Sequence, residues 1–131
     1  MKQSLYILQV TIAIILLTHA IPGMVDGGIN DFGKLFLNEI GFAPLGVPIA
    51  WAVKLSHIAC AIALIANRYV NWASIVTIFM MVMGIILVHF KEGWFVVGGG
   101  RNGIEYNFLI IMVSVTLILA GRNHRNSPTT N

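Results

Sequence analysis

The sequence predicts an all-α integral membrane protein: a four-helix bundle with a short amphipathic interfacial helix between its first and second crossings. Three observations carry this. Of 131 residues, 57% are hydrophobic and only 10% are charged, with a mean hydropathy of +0.84, where soluble domains carry roughly 25% charged residues. So few charges cannot cover a water-facing surface, which excludes a soluble monomer and a disordered chain. Four apolar runs each approach the ~20 residues that a helix needs to cross a ~30 Å hydrocarbon core. In lipid the backbone must satisfy its own hydrogen bonds, so each run is read as a helix.

The first run covers residues 4–23, SLYILQVTIAIILLTHAIPG. Lys2 and the Thr18-His19-Ala20 sequence give it some features of a cleaved signal peptide, but its apolar stretch is long for one, and a retained helix is preferred. Residues 24–45 follow. Phe32, Leu35, Phe36 and Ile40 recur there at helical spacing, with Asp31, Lys34, Asn38 and Glu39 opposite. This is the pattern of a helix lying at the membrane surface, capped by Asn30 or Asp31 and stopped by Gly41. Pro44 and Pro48 lead into the second run, residues 47–66. A tight connection at 67–71 makes the third run, 70–90, its antiparallel neighbour. The loop at 91–103 carries Trp94, Phe95 and a glycine cluster, and the fourth run covers 104–121. The transmembrane domain is thus 1–121. The polar tail, 122–131, is expected to be disordered, with His124 solvated.

Loop charges orient the chain. With the N-terminus inside, Lys2, Arg68, Arg122 and Arg125 are cytoplasmic, against Lys34, Lys91 and Arg101 outside. The balance favours both termini in the cytoplasm. The net charge of +3 is spread along the chain and leaves no nucleic-acid footprint. A single cysteine, Cys60, excludes an internal disulfide and a CxxC redox pair. It reads as a small core residue, and Met80, Met81, Met83 and Met112 as adaptable packing.

Ionisable groups inside a membrane segment are costly, and each needs a reason. Threading the helices gathers them near one surface. His19 ends helix one, Lys54 and His57 lie in the outer half of helix two, His89 ends helix three and Glu105 opens helix four. Lys54 is expected to pair with Glu105 inside the bundle, with snorkelling to the outer headgroups as the alternative. His57 shares a face with Lys54, and Trp51 and Cys60 continue that stripe. His57 reads first as a buried imidazole donating to a carbonyl or hydroxyl on a neighbouring helix, then as a ligand or relay group. His19, His57, His89 and Glu105 have the right chemistry for a metal. They come from four helices without a paired spacing, so no metal site is expected. Gly98-Gly99-Gly100-Arg101-Asn102-Gly103 matches GxGxxG, but a dinucleotide loop must follow a strand, and none is expected. The glycines instead let the outer loop fold back as a lid anchored by Trp94 and Phe95. Arg101 in that loop is read as solvated, or alternatively as meeting a ligand.

Several short segments occur in an order that resembles the DoxX-type family of small membrane proteins. They are His19 at the end of helix one with Gly33-Lys34-Leu35-Phe36, then Gly41-Phe42-Ala43-Pro44 before the Trp51 helix. Val88-His89-Phe90 with Gly93-Trp94-Phe95 follows, and Gly103-Ile104-Glu105-Tyr106-Asn107 opens the last helix. The resemblance spans residues 10–121. The second helix lacks the glutamate common in that family, and the first lacks its arginine. The resemblance implies a four-helix membrane bundle, His19, His89, Glu105 and Tyr106 as family-like positions, and association with quinone-linked membrane redox systems in a bacterial inner membrane.

The expected function is therefore an accessory subunit of such a system, not an enzyme alone. A polar pocket of His19, Trp51, Lys54, His57, His89, Arg101, Glu105 and Tyr106 would accept a quinone or another apolar carbonyl compound. The alternative is a non-enzymatic membrane scaffold whose polar residues only lock helices together. A small transporter is a third reading, weakened by the lack of an acidic residue in helix one. Expected partners are the lipid bilayer, other membrane proteins and, as an open alternative, further copies of the chain.

Overall fold

The computed structural model describes residues 2–98 and 101–126, and among them there is no strand. Helix α1 spans Lys2–Val25, and α2 (Gly28–Asp31) runs on as a wider π-helical segment, Phe32–Phe42. Helix α3 spans Gly46–Ile65 and α4 spans Val70–Gly84. Helix α4 continues through a π turn at Ile85–His89 and a 3-10 turn at Phe90–Glu92, and α5 spans Glu105–Asn126. Helix α5 thus passes the expected end at Gly121. Side chains from Arg122 onward and residues 127–131 lie outside the described residues.

Three helical stretches are long and apolar enough to cross a membrane: Gln3–Val25, Gly46–Ile65 and Val70–Glu92. The apolar part of α5, Glu105–Gly121, is shorter, about 25 Å at 1.5 Å per residue. Only 28% of each long span is buried inside the protein. Ile7, Ile14, Leu55, Ile62, Phe79, Ile86, Leu109 and Leu119 stand exposed along the helices. An apolar exterior of this extent calls for lipid as solvent, and the chain is a membrane protein. Exposed hydroxyls fit the same medium, because each is satisfied by its own helix: Thr11 donates to the Ile7 carbonyl, Ser56 to Ala52 and Thr116 to Met112.

Helix α1 packs along α3, α3 against α4, and α4 against α5, with a lighter contact of α1 on α5. The main core contains Ile12, Ala13 and Leu16 of α1, Cys60, Ala61 and Leu64 of α3, Ala73, Met80 and Met81 of α4, and Ile110 and Leu117 of α5. The first helix is thus part of the core. The turn between α3 and α4 is tight, as expected. Asn67 takes a left-handed backbone (φ 51°), and the Arg68 amide donates to the Ala63 carbonyl to close the helix end.

The connection 26–45 is built differently from its expected form. The helix starts earlier than Asn30, after Gly27 at φ 82°, and has no side-chain cap; the Asp26 carboxylate instead accepts the Gly28 amide at 2.8 Å. It breaks at Gly41 (φ 112°), as expected. Its buried ridge is Ile29, Gly33 and Leu37, while Phe32, Leu35 and Ile40 are exposed. Leu35 and Ile40 of the apolar stripe thus face outward, whereas Phe32 lines a cavity and stacks on Phe36, which packs beside a second small core of Ile29, Leu37 and Ala50. Gly33 is the reason α2 comes so close to α3. A Cβ there would stand 2.5 Å from the Val47 Cα, and one on Gly46 would overlap the Gly33 carbonyl oxygen. The Asn38 side chain accepts the Gly46 amide at 2.9 Å and closes this crossing.

Candidate functional site

At the end of the molecule that carries the two long connections, the helices enclose a cavity of about 180 Å³. Helix α1 contributes Leu16 and His19, α3 contributes Lys54 and His57, and α4 with its π turn contributes Met80, Met81 and His89. Helix α5 adds Tyr106, Asn107 and Ile110. The loop before α5 closes the space with Val96, Asn102 and Gly103. Most of the wall is apolar, and its polar groups converge from different elements, as in small-molecule sites.

Lys54 reaches α1 rather than α5. Its Nζ donates to the His19 carbonyl at 2.9 Å. The expected Lys54–Glu105 ion pair does not form, because the Glu105 carboxylate is engaged elsewhere. Glu105 Oε1 accepts the amides of Val96 (2.7 Å) and Val97 (2.6 Å). These are charge-assisted bonds, and they tie the 93–97 loop to the start of α5. Gly103 lets that loop come close, since a Cβ there would stand 2.5 Å from the carbonyl oxygens of Trp94 and Phe95. The Trp94 ring packs on Phe108 at 5.6 Å between centroids. The loop folds back as expected, held by Glu105 as well as by Trp94; Phe95 is exposed, and Gly99 and Gly100 lie outside the described residues.

The two inner histidines are fixed alike. His57 Nδ1 lies 2.6 Å from the carbonyl of Val53, and His89 Nδ1 lies 2.6 Å from that of Asn102. A carbonyl can only accept, so Nδ1 carries the proton in each ring. The His57 acceptor expected on a neighbouring helix is instead a carbonyl one turn back on its own helix. The His19 ring stacks over His57 at 6.0 Å. Helix α4 widens by a π turn just before His89, which rotates the end of the helix relative to a regular continuation. Nearby, Gly84 admits the Asn107 side chain, whose Nδ2 donates to the Met81 carbonyl at 3.1 Å.

Of the residues proposed for the pocket, His19, Lys54, His57, His89 and Tyr106 line the cavity. Trp51, Arg101 and Glu105 do not. Trp51 turns toward α2, where its Nε1 donates to Asn30 Oδ1 at 2.9 Å, and Arg101 is exposed. Sequence reasoning passed over Asn102 and Asn107. Asn107 directly follows the Glu105-Tyr106 pair, and a buried amide opening an apolar helix is a usable signal. Among the described residues no three His, Cys, Asp or Glu side chains group so as to hold a metal ion. Comparison of the chain with protein-family models, curated proteins and solved structures finds no match in any of the three.

Proposed function

We propose that the protein is a DoxX-like membrane subunit that holds a quinone-type ring ligand and serves a membrane redox system as an accessory, without a redox group of its own. In this reading α1, α3, α4 and α5 form a four-helix bundle in a bacterial inner membrane, with both termini cytoplasmic and the cavity beneath the outer leaflet. The observation that carries it is the cavity itself. Lys54, His57 and His89, with His19, Asn102, Tyr106 and Asn107, surround a space whose apolar wall includes Leu16, Met80, Met81 and Ile110. Such a space suits a flat, mostly apolar molecule with polar atoms on its edge. Lys54 supplies a cationic donor for a ring oxygen, and the folded loop keeps water from the polar end. Lys54→Ala should weaken binding of a quinone analogue to the purified protein by about ten- to a hundredfold, the ~1.5–3 kcal/mol of a charged hydrogen bond. Unchanged affinity would remove the cavity from the account.

One observation favours a scaffold as the second reading: Lys54, His57 and His89 each already bond a backbone carbonyl. The Lys54 bond joins α3 to α1 and the His89 bond ties the end of α4 to the loop before α5, whether or not a ligand is present. A scaffold would keep its full set of co-purifying proteins in a stable Lys54→Met variant, and selective loss of those proteins would argue for the ligand.

A further inference from the structure

We infer that the cavity takes its ring ligand in the reduced, hydroxyl-bearing form in preference to the carbonyl form. This rests on the reading of the cavity as a quinone-type site and adds which oxidation state it prefers. Two histidines line the cavity from different elements, His57 on α3 and His89 at the end of α4. Each commits its Nδ1 proton to a backbone carbonyl 2.6 Å away. The opposite edge of each ring therefore carries Nε2, and a neutral imidazole held this way offers Nε2 as a lone-pair acceptor. Lys54 is the complementary group. One of its three N–H bonds goes to the His19 carbonyl, and the others are available to an oxygen in the cavity.

A quinone carbonyl is an acceptor only. It can take a hydrogen bond from Lys54, but opposite an imidazole Nε2 it sets one lone pair against another. A quinol hydroxyl does both jobs, donating its proton to Nε2 while its oxygen accepts from Lys54. The reduced ring thus makes hydrogen bonds that the oxidised ring cannot. A site that offers acceptors discriminates strongly against a ligand without donors, because its own polar groups are then left unpaired.

The test compares two forms of one ligand. The full-length protein in lipid nanodiscs is titrated anaerobically with decylubiquinol, with decylubiquinone and with the dimethyl ether of the quinol, which keeps the ring but has no hydroxyl donor. The quinol should bind about tenfold tighter than the quinone, equivalent to ~1.4 kcal/mol, and the ether should bind no tighter than the quinone. His57→Leu and His89→Leu should each bring the quinol affinity down toward that of the quinone. Quinone binding equal to or tighter than quinol binding overturns this inference while leaving the ring-ligand reading in place. Binding of none of the three overturns both. The ether comparison needs no altered protein, so the result does not depend on how the histidine variants fold.

Discussion

Lys54 and His19 are joined across two helices by a hydrogen bond from the lysine ammonium to a main-chain carbonyl, 2.9 Å long. This places a cation on the C-terminal part of α1, six residues before its end at Val25. Pro22 lies three residues beyond His19 inside the same helix. It has no amide to give to the carbonyl of Thr18, one residue before the one that Lys54 meets. Two opposed terms set the stability effect of removing the lysine. Lys54→Met loses a charged hydrogen bond of ~1.5–3 kcal/mol and also removes the cost of taking an ammonium out of water. The net change should stay below about 2 kcal/mol in a reversible detergent unfolding titration, so ligand binding should fall far more than stability does.

Glu105 should govern the loop over the cavity. Its carboxylate holds the amides of Val96 and Val97, so Glu105→Ala releases two donors and the loop with them. Hydrogen exchange at Val96 and Val97 should speed up at least about tenfold, as expected for losing roughly 1.5–3 kcal/mol per charged bond. The exchange of Ile110, more than one turn into α5, should be unchanged.

The crossing of α2 over α3 should not tolerate a side chain at Gly33. Gly33→Ala places a Cβ 2.5 Å from the Val47 Cα, and backbone on both sides leaves nothing flexible to yield. A loss of about 1–3 kcal/mol is expected for overpacking of this kind, read as a lowered unfolding midpoint. Gly27→Ala is a useful contrast. Open space surrounds that position, and its cost comes from the positive φ of 82° alone.

Trp51 should act through α2 and not through the ligand. Trp51→Phe removes its bond to Asn30 and should cost about 0.5–1.5 kcal/mol. Quinol and quinone affinities should remain as in the unaltered protein when measured in nanodiscs.

The helices were legible because lipid imposes a coarse rule: a long apolar run must become a helix. His19, Lys54, His57 and His89 could be placed together because a membrane makes each ionisable residue conspicuous, and helix length alone brings these four to one end. The details that failed depend on rotation about the helix axis and on main-chain partners, which composition does not record. Trp51 and Lys54 are three residues apart and look like one stripe, yet α2 packs on the side that takes Trp51 while Lys54 faces α1. Glu105 looked like the counter-ion of Lys54, since no residue type marks the Val96 and Val97 amides as its partners. The apolar stripe of Phe32, Leu35, Phe36 and Ile40 does not tell which of its residues meet lipid and which meet protein, because the two read alike in a sequence. Gly33, with no side chain, carried no signal for the contact that sets the crossing. The π turn before His89 has no sequence signature at all.

Photo-crosslinking tests the central claim most directly, that a ring ligand sits among the converging polar groups of one cavity in a lipid-embedded helix assembly. An azido-substituted quinol would be activated in membranes containing the full-length protein and the labelled residues mapped by mass spectrometry. The account predicts label on Met80, Met81 and Ile110, which line the cavity, and its loss when unlabelled quinol is in excess. Label spread without competition over lipid-facing Phe79 and Leu109, with the cavity residues untouched, would contradict it.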